Sequence, residues 1–144
     1  MPKALKTSMR SSANLLLLLL LLTLAASCHH EVRGPEAGVD STEVDLGTVY
    51  VNETLVAEGA VTLTNRGDAD LHIQRIETSC LCTTASPSAD TLSAGATSVI
   101  RVRIKFEPYD TIPHDVYRTV DIYTNDSLHS PLSVGFKLKA DIKH

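Results

Sequence analysis

The chain has 144 residues, with 13 lysines and arginines against 17 aspartates and glutamates, and its formal net charge is −4. This length allows one domain of ordinary size. The acidic balance argues against a nucleic-acid-binding protein, because neutralising phosphates requires clustered lysine and arginine side chains.

The N-terminus has the layout of a secretory signal. Three basic residues among the first ten precede an apolar run at residues 15–22, and small residues then lead to Cys28. The apolar stretch is shorter than the roughly 18 residues that a membrane-spanning helix needs. Small residues that end at a cysteine resemble a bacterial lipobox, in which a diacylglyceryl group is attached to the thiol. We therefore predict a lipoprotein signal peptide at residues 1–27 and lipidation of Cys28. An ordinary secretory signal that is cut near Cys28 is the alternative.

Cleavage before Cys28 would change the composition of the chain. The leader holds three of the basic residues and none of the acidic ones, so ten basic and 17 acidic residues remain, a net charge of −7. Both methionines also leave with it. The residue after Cys28 is a histidine rather than an acid, which under enterobacterial sorting predicts the outer membrane. The predicted location is thus the bacterial cell envelope, with the N-terminal lipid as the contact to the membrane.

Residues 28–42 form the predicted tether between the lipid and the folded domain. They contain a proline and two glycines among mixed charges and show no apolar periodicity, which is typical of a solvated linker. His29 and His30 could bind a metal near the membrane, but two histidines in a flexible tail more often remain solvated.

Alternation of apolar and polar residues predicts β-strands throughout the predicted domain, residues 43–144. The apolar positions of the four clearest patterns are Leu55, Ala57, Val61 and Leu63; Ile100, Val102, Ile104 and Phe106; Val116, Val120 and Ile122; and Leu132, Val134, Phe136, Leu138, Ala140 and Ile142. A fifth strand, at residues 71–76, has a phase slip that indicates a bulge. Polar turns separate these strands, and no segment has a helical period.

Half-buried strands joined by polar turns predict an all-β fold, a two-sheet antiparallel β-sandwich of about seven strands. Polar residues at the outer positions suit sheets that cover a core with one face only. The chain has no tryptophan and two phenylalanines, so the core is expected to be mostly aliphatic.

Several motifs of the domain resemble one known family. The residues that carry the resemblance are Leu46-Gly47-Thr48-Val49, Leu63-Thr64-Asn65-Arg66-Gly67, Asp70-Leu71-His72-Ile73, Ser79-Cys80-Leu81-Cys82-Thr83, Ala94-Gly95 and Tyr123-Thr124-Asn125-Asp126. They are similar to motifs of the bacterial domain-of-unknown-function family fifteen-seventy-three, whose hallmark is Ser-Cys-Gly-Cys-Thr. The resemblance spans nearly all of residues 44–142 and implies an immunoglobulin-like sandwich related to ASPM/SPD-2/Hydin domains. It implies no reaction, and many members resemble short envelope lipoproteins.

The chain departs from the family pattern at two places. Leu81 stands where the family has a glycine; if that glycine has a positive φ, leucine costs steric energy there, unless the loop is extended. Residues 107–115 contain two prolines and replace a glycine-containing turn. We interpret this insertion as a tolerated surface loop, with a contact surface specific to this protein as the alternative. Within it, Asp110, His114 and Asp115 are expected to be solvated charges rather than an acid–base or metal cluster.

Cys80 and Cys82 would be the cysteines left after cleavage, and three interpretations of this pair stay open. The first is a disulfide or redox pair. In an extended strand the two Cα atoms would be about 6.6 Å apart, near the upper limit for a disulfide. The bond would then be strained unless the loop is kinked, and strained disulfides are the more reducible ones.

The second interpretation is a soft-metal site, in which the two thiolates bind Cu(I) or half of a zinc site together with an unidentified histidine. The histidines available in the domain are His72, His114, His129 and His144. The third interpretation is a pair of buried structural thiols, which an oxidising envelope disfavours. The disulfide is the favoured interpretation, and no cofactor or metal is predicted.

Motifs for catalysis are missing from the sequence, which contains no His-Glu-x-x-His, no Gly-x-Ser-x-Gly and no phosphate-binding glycine loop. The favoured function is therefore a non-catalytic, lipid-anchored envelope protein whose domain binds an envelope protein or a glycan. Binding would use its loops or a free strand edge. The alternative is a thiol-redox or soft-metal-binding lipoprotein that acts through Cys80 and Cys82.

Overall fold

The computed structural model describes residues 33–106 and 113–144 of the chain. The predicted signal peptide at residues 1–27, Cys28 and the first part of the predicted tether lie outside these residues. The same holds for residues 107–112 of the predicted insertion. Within the described residues, no helix is long and apolar enough to cross a membrane.

In this part of the chain, nine strands form two sheets that pack on each other. The first sheet has the spatial order β1 (Ala37–Val39), β3 (Val56–Asn65), β7 (Thr97–Lys105) and β5 (Thr83–Pro87). The second has the order β2 (Glu43–Tyr50), β9 (Leu132–Asp141), β8 (His114–Thr124), β4 (Leu71–Thr78) and β6 (Thr91–Leu92). The predicted all-β sandwich is confirmed.

The alternating apolar positions build one core between the sheets. Ile100 in β7, Ile122 in β8 and Phe136 in β9 are fully buried, and each such side chain stabilises the fold by about 1.5–3 kcal/mol. The prediction that Leu55 and Ile142 face the core is wrong. Leu55 and Ile142 are 41% and 42% exposed, because they lie just outside β3 and β9.

The alternation patterns missed four strands, β1, β2, β5 and β6, of which β1 and β6 are the shortest. β1 lies within the predicted tether at residues 28–42, yet it pairs with β3 and buries Ala37. The folded domain therefore begins at Ala37 at the latest, earlier than the predicted boundary at residue 43. β6 has two residues, and so few positions cannot show a period of two. The predicted number of about seven strands was consequently too low.

One strand pair is parallel, contrary to the prediction of an antiparallel sandwich. β2 runs parallel to β9, and its register shifts between Asp45 and Thr48. Gly47, inside this shift, has a φ of 69°, a left-handed conformation that glycine adopts without steric cost. The slip predicted in β4 is confirmed by a register shift between Ile73 and Arg75.

Candidate functional site

The chain crosses from the second sheet to the first between β4 and β5, and both cysteines lie in this crossing. We call residues 79–83 the disulfide turn. The backbone N–H of Thr83 donates to the carbonyl oxygen of Cys80 at 3.0 Å, which closes the turn. The hydroxyl of Thr78 lies 3.1 Å from the carbonyl oxygens of Cys80 and of Thr83. Thr78 thus braces the turn from the end of β4.

Two further strands hold the disulfide turn in place. In β8, Thr119 accepts a hydrogen bond from the N–H of Ser79 at 3.0 Å, and the N–H of Thr119 donates to the Ser79 hydroxyl at 2.9 Å. In β7, the N–H of Lys105 donates to the carbonyl oxygen of Cys82 at 2.8 Å. The turn is therefore fixed to both sheets, one at each end.

The structure joins the sulfurs of Cys80 and Cys82 in a disulfide. Their Cα atoms are 5.1 Å apart, shorter than the extended-strand distance, because the chain turns between them. The expectation of an extended loop at Leu81 is wrong for the same reason. No described non-glycine residue has a positive φ, so leucine at this position avoids the predicted steric cost. Leu81 is fully exposed at the apex.

Sequence reasoning missed Arg118, whose side chain contacts the disulfide. Its Nε lies 3.4 Å from the sulfur of Cys82, and its Nη1 donates to the carbonyl oxygen of Tyr117 at 2.9 Å. Position 118 lies in the inward phase of β8, between the buried Val116 and Val120. A charged residue in the register of an apolar face is the signal that could have identified it.

In the described part of the chain, His72 and His129 contact residues other than the cysteines. The ring of His72 contacts the hydroxyl of Thr91 at 3.1 Å, and the ring of His129 contacts Asp126 at 2.9 Å. His114 begins β8, and His144 is the C-terminal residue. Within residues 33–106 and 113–144, no three histidine, cysteine or carboxylate side chains converge as a metal site requires. The sulfurs of a disulfide also lack the thiolate charge that binds soft metals.

The predicted insertion at residues 107–115 overlaps a strand. β8 begins at His114, two residues before the predicted Val116, so His114 and Asp115 belong to the sheet rather than to a loop. Asp110 lies outside the described residues. The role of residues 107–112 therefore stays a prediction.

An open groove of about 480 Å³ crosses the outer face of the second sheet. We call it the Tyr117 groove; its polar lining residues include Asp45, Thr48, Asp115, Tyr117, Lys137 and Lys139. Tyr117 is 56% exposed. A side chain added at Gly135 would overlap the Tyr117 ring, so the ring lies against the bare backbone of β9. Glycine at this position thus lets the hydroxyl end of the aromatic ring approach the sheet.

Two residues of the family motifs are buried polar groups that join separate parts of the fold. Asn65 is fully buried at the end of β3, and Asp126 is 2% exposed in the turn between β8 and β9. The carboxylate of Asp126 accepts the N–H of Ala37 at 2.8 Å and thereby holds β1. Burial by itself raises the pKa of Asp126, but hydrogen bonds from the N–H groups of Ala37 and Leu128 and from the ring and the N–H of His129 lower it more, so the pKa lies below the ordinary 3.8.

The sequence profile of a family described as "Protein of unknown function (DUF1573)" matches residues 37–140. The match begins at the first residue of β1 and ends within β9. No curated protein matches the sequence significantly.

Solved structures share the fold at low sequence identity. A protein of unknown function from Porphyromonas gingivalis W83 is 15% identical with a TM-score of 0.61, over 78% of this chain and 50% of that chain. The E. coli chaperone DraB is 13% identical with a TM-score of 0.52, over 76% and 56%. The PapD-like domain 7 of human CEP192 is 12% identical with a TM-score of 0.48, over 75% and 85%. The chain spans about half of the length of the first two. The likeness to the first two, whose TM-scores exceed 0.5, concerns the fold alone and agrees with the immunoglobulin-like β-sandwich.

Proposed function

The chain belongs to the DUF1573 family of proteins of unknown function, and from this premise we propose that it is a non-catalytic, lipid-anchored binding module of the bacterial cell envelope. Its partners are the membrane, through the N-terminal lipid, and an envelope glycan or protein, through the sandwich domain. The leader and Cys28 support the anchor, and the net charge of −7 without the leader speaks against a nucleic-acid partner.

Replacement of Cys28 by serine tests the anchor. Cells grown with a clickable fatty acid are expected to label the wild-type protein in the membrane fraction and to leave the Cys28→Ser variant unlabelled, because serine has no thiol to which the diacylglyceryl group can be attached. The matched control is Cys82→Ser, which removes a different cysteine and is expected to keep the label. Label on Cys28→Ser, or none on the wild type, would contradict lipidation at Cys28.

The Tyr117 groove is the observation that carries the binding function. Tyrosine is enriched at recognition surfaces, because its ring supplies apolar contact area and its hydroxyl a hydrogen bond at a low cost in entropy. Here the side chain is more than half exposed, and the hydroxyl end of its ring lies against Gly135. The ring is therefore already ordered before any ligand arrives, which lowers the entropic cost of binding.

Charged side chains line the same groove as Tyr117. Lys137 lies 2.8 Å from Glu43 and 3.8 Å from Asp45, and the hydrogen bond to Glu43 raises the pKa of Lys137. Carboxylate acceptors and ammonium donors beside an aromatic face suit the hydroxyl groups and C–H faces of a sugar ring. These features favour a glycan over a protein as the ligand of the Tyr117 groove.

The strand edges of the sandwich are less suited to binding by strand addition. β2 is interrupted by the register shift at Gly47, and β5 ends at Pro87, which has no N–H to offer. Bulges and prolines at the edges of sheets discourage pairing with an added strand. Binding through the face of the second sheet is therefore favoured over binding through an edge.

Replacement of Tyr117 by alanine is expected to weaken glycan binding at least tenfold, a loss of about 1.4 kcal/mol or more that is typical of an aromatic anchor. The measurement is binding of the purified protein to an array of bacterial envelope polysaccharides, followed by titration calorimetry with the oligosaccharides that bind.

Tyr50→Ala is the matched control for this prediction, because Tyr50 is also exposed but lies outside the groove. Gly135→Ala is a second test, since a methyl group there would push the Tyr117 ring off the sheet, and it is expected to weaken binding without removing the tyrosine. Equal affinities of the wild type and Tyr117→Ala would refute the groove. If the wild type captures an envelope protein but binds no glycan, the ligand of the groove is a protein rather than a glycan.

A thiol-redox role is the second candidate function, and the contact between Arg118 and the disulfide favours it. Arg118 lies in the same phase of β8 as the buried Val116 and Val120, and its Nε lies 3.4 Å from the sulfur of Cys82. A guanidinium beside a cysteine sulfur stabilises the thiolate when the disulfide is reduced. The contact supplies the chemistry that a redox-active pair needs.

A further inference from the structure

We propose that the disulfide turn is a directional thiol-oxidising site, in which a partner thiolate attacks Cys80 and Cys82 leaves as a thiolate stabilised by Arg118. This inference rests on the second function proposed above. It adds the direction of the exchange, the substrate class, which is a protein dithiol, and Arg118 as the positioning residue.

Arg118 distinguishes the two sulfurs. Its Nε contacts Cys82, and its Nη1 is held by the carbonyl oxygen of Tyr117, so the guanidinium is oriented by the backbone of its own strand. Arginine stays charged at every physiological pH. At this half-buried position the positive charge is screened less than it would be in water, and its effect on a negative sulfur is correspondingly stronger.

Cys80 has a weaker stabilising contact. Its sulfur accepts the backbone N–H of Cys82 at 3.1 Å, a neutral donor. A hydrogen bond from a charged donor is roughly twice as strong as one from a neutral donor. The lower-energy thiolate is therefore Cys82, and a disulfide breaks faster when the sulfur with the more stable thiolate departs.

Charged residues also lie near the disulfide turn at the ends of β4 and β7. Glu77 of β4 is paired with Arg75 at 2.8 Å, and Lys105 of β7 is exposed and contacts the turn through its backbone N–H. Among the charged side chains of residues 33–106 and 113–144, Arg118 is the one with a hydrogen bond to a cysteine sulfur. The asymmetry between the two cysteines thus comes from Arg118.

The disulfide turn is open to a partner. Cys80 and Cys82 are each half-buried, and the side chain of Leu81 between them is fully exposed. An apolar side chain at the apex can contact the polypeptide that carries the attacking cysteine. Rigid attachment of both ends of the turn to the sheets keeps the two sulfurs close to each other after reduction.

The proposed thiol–disulfide exchange takes place in two steps, in which atoms and electrons are conserved. A partner thiolate forms a bond to the sulfur of Cys80, the bond between Cys80 and Cys82 breaks, and its electron pair goes to Cys82. A second thiolate of the same partner then attacks the partner sulfur of the mixed disulfide, and Cys80 departs as a thiolate that takes up a proton. The partner dithiol is oxidised to a disulfide, and the protein receives two electrons. Stabilising the reduced form makes the disulfide a stronger oxidant.

The test compares the ionisation of the two thiols in the full chain carrying Cys28→Ser. Thiolate absorbance at 240 nm is followed against pH in Cys80→Ser, which leaves Cys82, and in Cys82→Ser, which leaves Cys80. The midpoint for Cys82 is expected about one pH unit below that for Cys80. Arg118→Gln should raise the midpoint of Cys82 alone, and Arg118→Lys should preserve most of the difference. Glutathione trapped on the oxidised wild-type pair should be found on Cys80 by mass spectrometry.

The outcomes separate the direction of exchange from the redox function itself. Equal midpoints for the two thiols, an equal shift of both in Arg118→Gln, or glutathione trapped on Cys82 would overturn the direction. Two free thiols in wild-type protein purified without reductant would instead overturn the redox function. If Arg118→Gln fails to fold, the comparison of Cys80→Ser with Cys82→Ser and the trapping experiment still decide the question.

Discussion

Replacement of Asn65 by alanine is expected to lower the free energy of unfolding by about 3–4 kcal/mol. The fully buried side chain of Asn65 bonds four backbone groups. Its Nδ2 donates to the carbonyl oxygens of Ala69 at 2.8 Å and Leu92 at 2.9 Å. Its Oδ1 accepts the N–H groups of Gly67 at 3.0 Å and Glu36 at 3.4 Å. Alanine leaves these groups without a partner, at a cost of about 1–3 kcal/mol for each one that water cannot reach.

Chemical denaturation of the purified protein measures this loss, and Asn125→Ala is its matched control. Asn125 also bonds the backbone through both ends of its amide, accepting the N–H of His72 at 2.8 Å and donating to Asp70 at 3.0 Å. These bonds are exposed, so water can replace the amide, and a loss of about 0.5–1 kcal/mol is expected. Similar losses for the two variants would show that burial is not what makes Asn65 important.

The contacts of Asn65 show how far the sequence could predict the fold. The run of Asn65, Arg66, Gly67 and Asp68 predicts a turn from residue types alone, and β3 ends there. The bonds of the side chain to Glu36 and Leu92 join residues 29 and 27 positions away. No local pattern encodes such a contact, because it depends on which strands the finished sandwich places side by side.

The apolar periodicity predicted the long strands for a physical reason. In β7 and β9 one face is buried and the other is solvated. Apolar residues therefore mark the buried positions and polar residues the solvated ones. The parallel pairing of β2 with β9 leaves no such trace, since parallel and antiparallel edges present the same alternation. The strand β1 was missed because its burial comes from Ala37, a small residue that solvated linkers also contain.

The candidate redox site could be predicted only in part. The spacing of Cys80 and Cys82 is visible in the sequence, but whether the sulfurs meet depends on a turn that hydrogen bonds to β7 and β8 hold closed. Arg118 could have been noticed as the one charge in the inward phase of β8. Its partner could not, because Cys82 lies 36 residues earlier in the chain and at the end of the other sheet.

Replacement of Asp126 by asparagine is expected to cost about 2–4 kcal/mol of unfolding free energy at neutral pH. Both oxygens of Asp126 accept hydrogen bonds. Oδ2 accepts the N–H of Ala37 at 2.8 Å and contacts the ring Nδ1 of His129 at 2.9 Å, and Oδ1 accepts the N–H groups of Leu128 at 2.9 Å and His129 at 3.2 Å. Asparagine has one acceptor oxygen and one donor group. In either orientation its NH₂ therefore faces a backbone N–H at a buried site, and at least one donor loses its partner.

The cost of Asp126→Asn is expected to depend on pH, with a sign that follows from the lowered pKa of Asp126. The folded protein holds the carboxylate ionised to lower pH than the unfolded chain does, so the unfolded chain binds the extra proton below about 3.8. The stabilisation is complete above that value and is lost as the pH falls through the folded pKa, with a slope of at most about 1.4 kcal/mol per pH unit. Urea denaturation of the wild type and the variant between pH 2.5 and 7 should thus show a difference in unfolding free energy that shrinks in acid.

Asp121→Asn is the matched control. Asp121 accepts a hydrogen bond from the Ser133 hydroxyl at an exposed site, and that hydroxyl can rotate to suit an amide. A difference between the wild type and Asp126→Asn that stays constant down to pH 2.5 would show that the ionised carboxylate is not what holds β1 to the turn between β8 and β9.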